Sequence, residues 1–216
     1  MVYKQGTAEW HAARLGKITA SRFADVMSNG RGGAISKTAE SYMLELVAET
    51  YTRRPASEVD TLAMRHGRDT EPEARICYEE TMDIAVEQVG FLHHPNNELV
   101  GGSPDGLVCG HGLIEIKCPL NPQKHAAVLL SGEMPEEHQY QVQGLLWITG
   151  RAWCDFVSYH PHWPETLRLA VVRVPADAAT IAEIEARVFA SADVLKMRVD
   201  RISERWLERL ASSTSG

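Results

Sequence analysis

Hydrophobic positions change period several times along the chain. Tyr42, Leu46 and Val47 recur at helical spacing behind Lys37-Thr38 and predict a helix that ends before Pro55. Ahead of it, Phe23 and Val26 predict a short helix capped by Thr19 or Ser21 and broken by Gly30, Gly32 and Gly33. Thr70-Glu71-Pro72-Glu73 has the form of a capping box with proline in the first turn. A third helix is therefore expected to open near Thr70 and to carry Ala74, Cys77 and Tyr78. From Ile84 to Lys117 the pattern turns to strands: Val86, Val89, Phe91, Leu92 and Val100 are separated by turn clusters such as Pro95-Asn96-Asn97. The stretch from Pro119 to Pro135 reads as irregular at both ends and helical between. Glu136–Ile148 predicts a helix closed by Gly150. Strands follow at Trp153–Tyr159 and Leu167–Val174. A stripe of Ile181, Ile184, Val188, Leu195, Val199, Ile202, Trp206 and Leu210 then predicts one long amphipathic helix, or a broken pair, over Ala176–Ala211. This order predicts an α/β fold with a small mixed sheet flanked by helices. It forms a single domain over 1–211, followed by a disordered tail over 212–216.

Chemistry concentrates in Ser103-Pro104-Asp105-Gly106-Leu107 and Leu113-Ile114-Glu115-Ile116-Lys117, two short runs around Gly110-His111-Gly112. Side chains alternate along a strand, so Leu113, Glu115 and Lys117 share one face while Ile114 and Ile116 point into the core. With Cys109 opposite Leu113, Asp105 falls opposite Lys117, and Glu115 becomes its diagonal neighbour at about 7–8 Å. Two carboxylates so placed can converge on one divalent cation, and magnesium prefers oxygen ligands. An ammonium beside that cation can position an attacking water and help to deprotonate it. Asp105, Glu115 and Lys117 therefore suit phosphodiester hydrolysis. They also suit a plain cross-strand ion pair behind an ordinary Asp-Gly turn.

Composition narrows the classes. Hydrophobic residues make up 44% and charged residues 24%, which excludes wholesale disorder and a fibrous repeat. No apolar run approaches the ~20 residues that cross a bilayer. The net charge of −7 excludes a protein that merely coats nucleic acid, so DNA would be met by a local basic surface or through bound metal ions. The start, Met1-Val2-Tyr3-Lys4-Gln5, lacks the form of a secretory signal. Cys77, Cys109, Cys118 and Cys154 show no CxxC spacing, and reduced thiols in a cytoplasmic protein are expected. His93-His94 and His160-x-His162 have no cysteine at zinc-finger spacing and are expected to be surface residues.

Pro104-Asp105…Glu115-x-Lys117 resembles the core of the PD-(D/E)xK nuclease superfamily. Further blocks, in order, resemble phage lambda exonuclease and the YqaJ-type viral recombinases: Gln5-Gly6-Thr7…Trp10…Arg14-Leu15-Gly16…Ile18-Thr19-Ala20-Ser21, Gly67-Arg68…Glu71…Ala74-Arg75, Ser103–Leu107, Glu115–Pro119 and Gln141-Val142-Gln143…Trp147. They cover about Gln5 to Tyr159. The resemblance implies a restriction-endonuclease-like core and a Mg²⁺-dependent 5′→3′ exonuclease on double-stranded DNA, with Mn²⁺ as a substitute. It also implies a homotrimeric ring that leaves 3′ single-stranded tails, a single-strand annealing protein as partner, and a phage or prophage origin in a bacterial cell. By the same resemblance, metal is held by Asp105, Glu115 and the main-chain carbonyl of Ile116, and Lys117 is catalytic. Glu71 and Gln141 occupy two more active-site positions, and Arg14, Ser21 and Ser103 hold the terminal 5′ phosphate. One departure stands out: relatives can carry another acid on the strand entering the Ser-Pro-Asp-Gly motif, and His93–Asn97 has none at the matching place.

Each supporting residue also has an ordinary reading. Glu71 in a first helical turn is favoured by the helix dipole. Ser21 near a helix start is often a cap, Ser103 before Pro104 can close a turn, and a helix glutamine such as Gln141 is usually solvated. Arg14 has the planar fork that suits phosphate. Two rival functions share these residues: a restriction-type endonuclease on the same core, and a non-catalytic DNA-end-binding scaffold for recombination.

Overall fold

The computed structural model describes residues 4–30, 35–56 and 59–213, with the backbone alone for 210–213. Gly32, Gly33 and the tail beyond Ser213 lie outside the described residues. The chain opens with α1 (Ala8–Arg14), β1 (Ile18–Thr19), a 3₁₀ turn (Ala20–Arg22) and α2 (Phe23–Met27). Two longer helices follow, α3 (Lys37–Thr52) and α4 (Leu62–Met82). Next come β2 (Leu92–His94), β3 (Asn97–Gly102), β4 (Gly106–Val108) and β5 (Gly112–Lys117). The rest is α5 (Pro122–Ser131), a 3₁₀ turn (Glu136–His138), α6 (Gln139–Thr149), β6 (Trp153–Tyr159), β7 (Leu169–Pro175) and α7 (Ala178–Ser213).

The expected α/β architecture is present, with its strands divided between two small sheets. One has the order β1-β3-β2 and the other β4-β5-β6-β7. In the second, β5 and β6 run parallel, so a crossover through α5 and α6 must join them. That crossover lays α6 on the sheet face that carries Leu113, and Leu113, Val142, Leu145, Leu146 and Phe156 share one core. Helix α4 covers the opposite face, where Ala74 and Tyr78 pack with Ile114, Ile116, Val157 and Tyr159. A one-residue slip of β5 would turn Glu115 and Lys117 into the apolar layer under α4, so its register is strongly specified.

Four details differ from the sequence expectation. Helix α4 starts at Leu62, capped by Thr61, whose hydroxyl accepts from the Met64 amide. Thr70 is thus a buried mid-helix residue, and Pro72 lies inside the helix. Glu71 stands well past the first turn and draws nothing from the helix dipole. The 3₁₀ turn after β1 receives no capping bond from Thr19; the hydroxyls of Thr19 and Ser21 lie 3.3 Å apart.

The β4–β5 register is also shifted. Gly106 pairs with Ile114 and Val108 with Gly112, so Asp105 falls level with Glu115, not Lys117. Cys109 adopts the left-handed conformation (φ 50°) together with Gly110, which starts the turn one residue early. A displacement of two residues keeps every side chain on its face.

Lastly, two of the four paired histidines are buried. Strand alternation turns His93 out and His94 in, where His94 stacks on Trp147 at 4.2 Å. His160 is buried beside His125, and its Nδ1 accepts from the His162 amide. The four cysteines are free, and α7 is one unbroken helix. Ile184, Val188, Ala192 and Leu195 of α7 are buried, whereas Ile202 and Trp206 further along are exposed. Among the described residues, no helix is long and apolar enough to cross a membrane.

Close approach of α6 to α2 depends on Gly144, where an added Cβ would stand 2.4 Å from the Phe23 ring. Gly144→Ala is expected to lower stability by about 1–3 kcal/mol, read as a lower denaturant midpoint. An unchanged midpoint would show that Phe23 moves aside freely.

Candidate active site

The site forms where β4 leaves β5. The Asp105 amide donates to the Ile114 carbonyl at 3.2 Å. The Asp105 carboxylate then takes over from the backbone, accepting from the Ile116 amide at 2.6 Å. Because the amide and carbonyl of one strand residue face the same side, the Ile116 carbonyl also faces this edge, beyond Gly106, the first residue of β4. Proline at 104 presents the turn, and Gln5 secures it from a distance by donating to the Pro104 carbonyl at 2.8 Å.

Glu115 projects from β5 toward α6 and is 2% exposed. Its Oε1 accepts from Lys117 Nζ at 2.6 Å and from Gln141 Nε2 at 2.5 Å. Lys117 also donates to Gln141 Oε1 at 3.2 Å, closing a three-membered ring of contacts. Gln141, expected on a solvated helix face, is thus locked to the sheet. Two of the three ammonium protons are committed, which leaves one for a further acceptor.

Glu71 reaches the same region from α4. Its Oε1 accepts from Arg75 at 3.1 Å, one helical turn away. Burial raises the Glu71 carboxyl above its usual range, and the Glu115 charge adds to this against the opposing pull of Arg75. Asp105 is held well above the carboxylate range by burial, then by the charges of Glu115 and Glu71. Burial alone would lower Lys117. The summed attraction of Glu115, Asp105 and Glu71 overrides it and keeps the ammonium above its ordinary range.

Three acids face one lysine and the Arg75 that pairs with Glu71, which leaves the cluster short of positive charge. Among the described residues, no group of three or more His, Cys, Asp or Glu side chains is placed to hold a metal ion. Asp105 and Glu115, with the main-chain oxygen of Ile116, make a smaller candidate set of two carboxylates and a carbonyl. One observation favours such a set: Glu115 Oε2 is buried and has no hydrogen-bond partner. A buried bare carboxylate oxygen is costly unless a cation meets it. Oxygen-only donors suit Mg²⁺ or Mn²⁺.

A second concavity adjoins the first. It holds about 90 Å³ and is lined by Trp10, Arg14, Ser21, Ser103 and Gln141, among others. Gln141 is thus common to both. The Arg14 guanidinium lies 4.3 Å from the centre of the Trp10 ring and forms no ion pair among the described residues. Burial lowers its pKa. Ser103 Oγ accepts from Trp10 Nε1 at 2.9 Å and from Arg14 Nη1 at 3.4 Å. Both hydroxyl lone pairs are then occupied, so its proton is left to donate. An arginine in no ion pair, beside a hydroxyl with its proton left to donate, has the chemistry that suits an anion such as phosphate. Ser21 is an exposed wall residue.

Sequence reading assigned no contact to Trp10, Gln5 or Arg75. The four-residue spacing of Glu71 and Arg75 was a usable signal. Trp10 and Ser103, 93 positions apart, offered none.

The raised Asp105 carboxyl yields a stability prediction. An acid whose folded pKa is raised destabilises the fold once ionised, and that penalty vanishes below the unfolded pKa of ~3.9. Asp105→Asn is expected to raise Tm in EDTA at pH 8, by a margin that shrinks toward pH 4. A lower Tm than wild type at pH 8 would contradict the assigned electrostatics.

Comparison with known proteins follows the same lines. The YqaJ-like viral recombinase domain model matches residues 9–152. An alkaline exonuclease from Laribacter hongkongensis, LHK-Exo, is 39% identical, with a TM-score of 0.84 over 94% of this chain and 99% of that one. Its complex with dAMP gives the same figures. A phage related exonuclease from Haemophilus somnus 129PT is 16% identical, with a TM-score of 0.70 over 86% of this chain and 96% of that one, a likeness of fold. No curated protein sequence matches. By its domain match and by its identity to LHK-Exo, the chain belongs to the YqaJ-like viral recombinase domain family.

Proposed function

We propose that this protein is a divalent-metal-dependent exonuclease that degrades one strand of linear duplex DNA from 5′-phosphorylated ends, in the 5′→3′ direction, and leaves 3′ single-stranded tails for recombination by annealing. The observation that carries the reading is the Glu115 carboxylate. One oxygen is saturated by Lys117 and Gln141, the other is buried and bare, and Gln141 also lines the Arg14 pocket. A hydrolytic centre and an anion site thus share one wall. Family membership and the likeness to LHK-Exo support the same activity.

Asp105, Glu115 and the Ile116 carbonyl would hold the cation, Mg²⁺ with Mn²⁺ as substitute. When bound, such an ion supplies Lewis acidity at the scissile phosphate and lowers the pKa of the attacking water. Lys117 stays protonated, because its carboxylate neighbours hold the ammonium charged. Its role is accordingly to orient the water and to offset charge on the phosphate, using the proton left over by Glu115 and Gln141. Glu71, held by Arg75, adds negative charge on the α4 side of the site. Arg14, Ser103 and Ser21 grip the terminal 5′ phosphate, so that each cut falls one nucleotide in. LHK-Exo has been solved with dAMP, a mononucleotide, and a cut one nucleotide in would release mononucleotides. Contacts of this kind read the backbone and carry no base information, so little sequence preference is expected. A homotrimeric ring around the duplex, a single-strand annealing partner and a bacterial cytoplasm as the setting complete the proposal on family grounds.

With Mg²⁺, linear 5′-phosphorylated duplex is expected to be degraded and closed circular plasmid left intact. Degradation of the circle would point to an endonuclease, and inertness on both to a scaffold. Lys117→Ala is expected to lower hydrolysis at least ~100-fold while end binding persists. Arg14→Ala is expected to erase the preference for 5′-phosphate over 5′-hydroxyl ends. Equal losses on both kinds of end would remove Arg14 from that role.

A further inference from the structure

Helix α4 brings Glu71 to the site, yet the packing beneath it does not fix its position along the sheet. Ala74 and Tyr78 meet Ile114, Ile116 and Val157 through apolar contact alone. Such contact is non-directional: it sets the distance of a helix from a sheet, not its place along a strand. A slide of α4 along the sheet would carry Glu71 away from Glu115 and Lys117.

Two directional bonds from α4 to β6 oppose that slide, beside the bond that Glu79 accepts from the Val86 amide and that of Cys77 with Arg168. Tyr78 OH donates to Asp155 Oδ2 at 2.8 Å, and Tyr159 OH donates to Glu73 Oε1 at 2.6 Å. Both tyrosines are fully buried. Asp155 is itself immobile: it is buried, and Arg173 grips both of its oxygens at 2.9 Å while lying 3.8 Å from the centre of the Trp153 ring. Both bonds run from α4 to β6, and they bracket the reactive stretch of β5. Asp155 pairs with Ile114, just before Glu115, and Tyr159 follows Ser158, the partner of Lys117. The pin at Glu73 is two residues from Glu71. Hydroxyl–carboxylate bonds are short and angle-dependent, so each fixes a position that apolar packing leaves open.

We infer that Tyr78 and Tyr159 are positioning residues that set where α4 lies along β6, and thereby hold Glu71 in place against Glu115 and Lys117. Neither touches the reacting atoms. The inference rests on the proposed nuclease reading, within which Glu71 is an active-site acid.

Tyr78→Phe and Tyr159→Phe each delete one oxygen and keep the ring. Each is expected to lower kcat and to weaken Mn²⁺ binding in calorimetry by about 10-fold, the usual effect of losing a supporting bond behind a metal site. KM for 5′-phosphorylated duplex should be unchanged, since the Arg14 pocket is built from other elements. A merely structural role would lower Tm and leave Mn²⁺ affinity and the kcat of the folded enzyme as in wild type. Values within about twofold of wild type for both variants would overturn the inference. Should the Tyr159 variant fail to fold, Glu73→Ala removes the acceptor of the same bond from its exposed end, with the same expected losses. Glu71→Ala separates this inference from the reading beneath it. An inactive wild type would sink both. A fully active Glu71→Ala variant would leave α4 nothing to position. Loss in Glu71→Ala alone, with both phenylalanine variants unaffected, would sink the positioning role and spare the nuclease.

Discussion

The site depends on one substitution of partners: the Asp105 carboxylate accepts the Ile116 amide where a strand would otherwise continue. With that bond the pairing of β4 can stop at its first residue, Gly106, without leaving a buried donor unpaired, which would cost about 1–3 kcal/mol. Because the pairing stops there, the edge of β5 from Glu115 to Lys117 is uncovered. The same carboxylate thus terminates a sheet edge and lines the site that the termination opens.

The electrostatic arrangement follows from that opening. Three acids gather around one ammonium, and burial and mutual repulsion lift two of their carboxyls above the ordinary range. A core selected for stability alone would not tolerate this. On the proposed reading, a divalent cation would remove both the repulsion and the bare Glu115 oxygen, and the feature that weakens the fold would also recruit the ion. The neighbouring pocket shows the opposite imbalance, a guanidinium in no ion pair among the described residues and a serine with its proton left to donate. Gln141 joins the two, bonded to Glu115 and Lys117 on one side and facing the pocket on the other. A phosphodiester chain entering both would place its terminal anion and its scissile bond at a fixed spacing.

Much of this was legible in the residues, and the failures are instructive. The alternation of Leu113, Ile114, Glu115, Ile116 and Lys117 placed the acid and the lysine on one face. The β4–β5 register was misread by two residues because Cys109 is left-handed, a conformation uncommon for that side chain. The period of a strand is two, so the convergence survived the error. The start of α4 was misplaced because Thr70-Glu71-Pro72-Glu73 imitates a helix start, while the true cap, Thr61, has no acid three residues on. His94 and His160 were expected outside because histidine is usually solvated; aromatic neighbours distant in sequence bury them. The long-range bonds of Trp10, Gln5, Tyr78 and Tyr159 left no local trace. Periodicity reports which face is buried, not which hydroxyl meets which acid across the core.

The central claim is that the uncovered edge of β5 binds a divalent cation between Asp105 and Glu115. Crystals soaked in Mn²⁺ and measured for anomalous scattering test it most directly. A peak bonded to Glu115 Oε2, to an Asp105 oxygen and to the Ile116 carbonyl is the predicted result. A fully soaked crystal with no peak there, or with manganese held elsewhere on the chain, would contradict it.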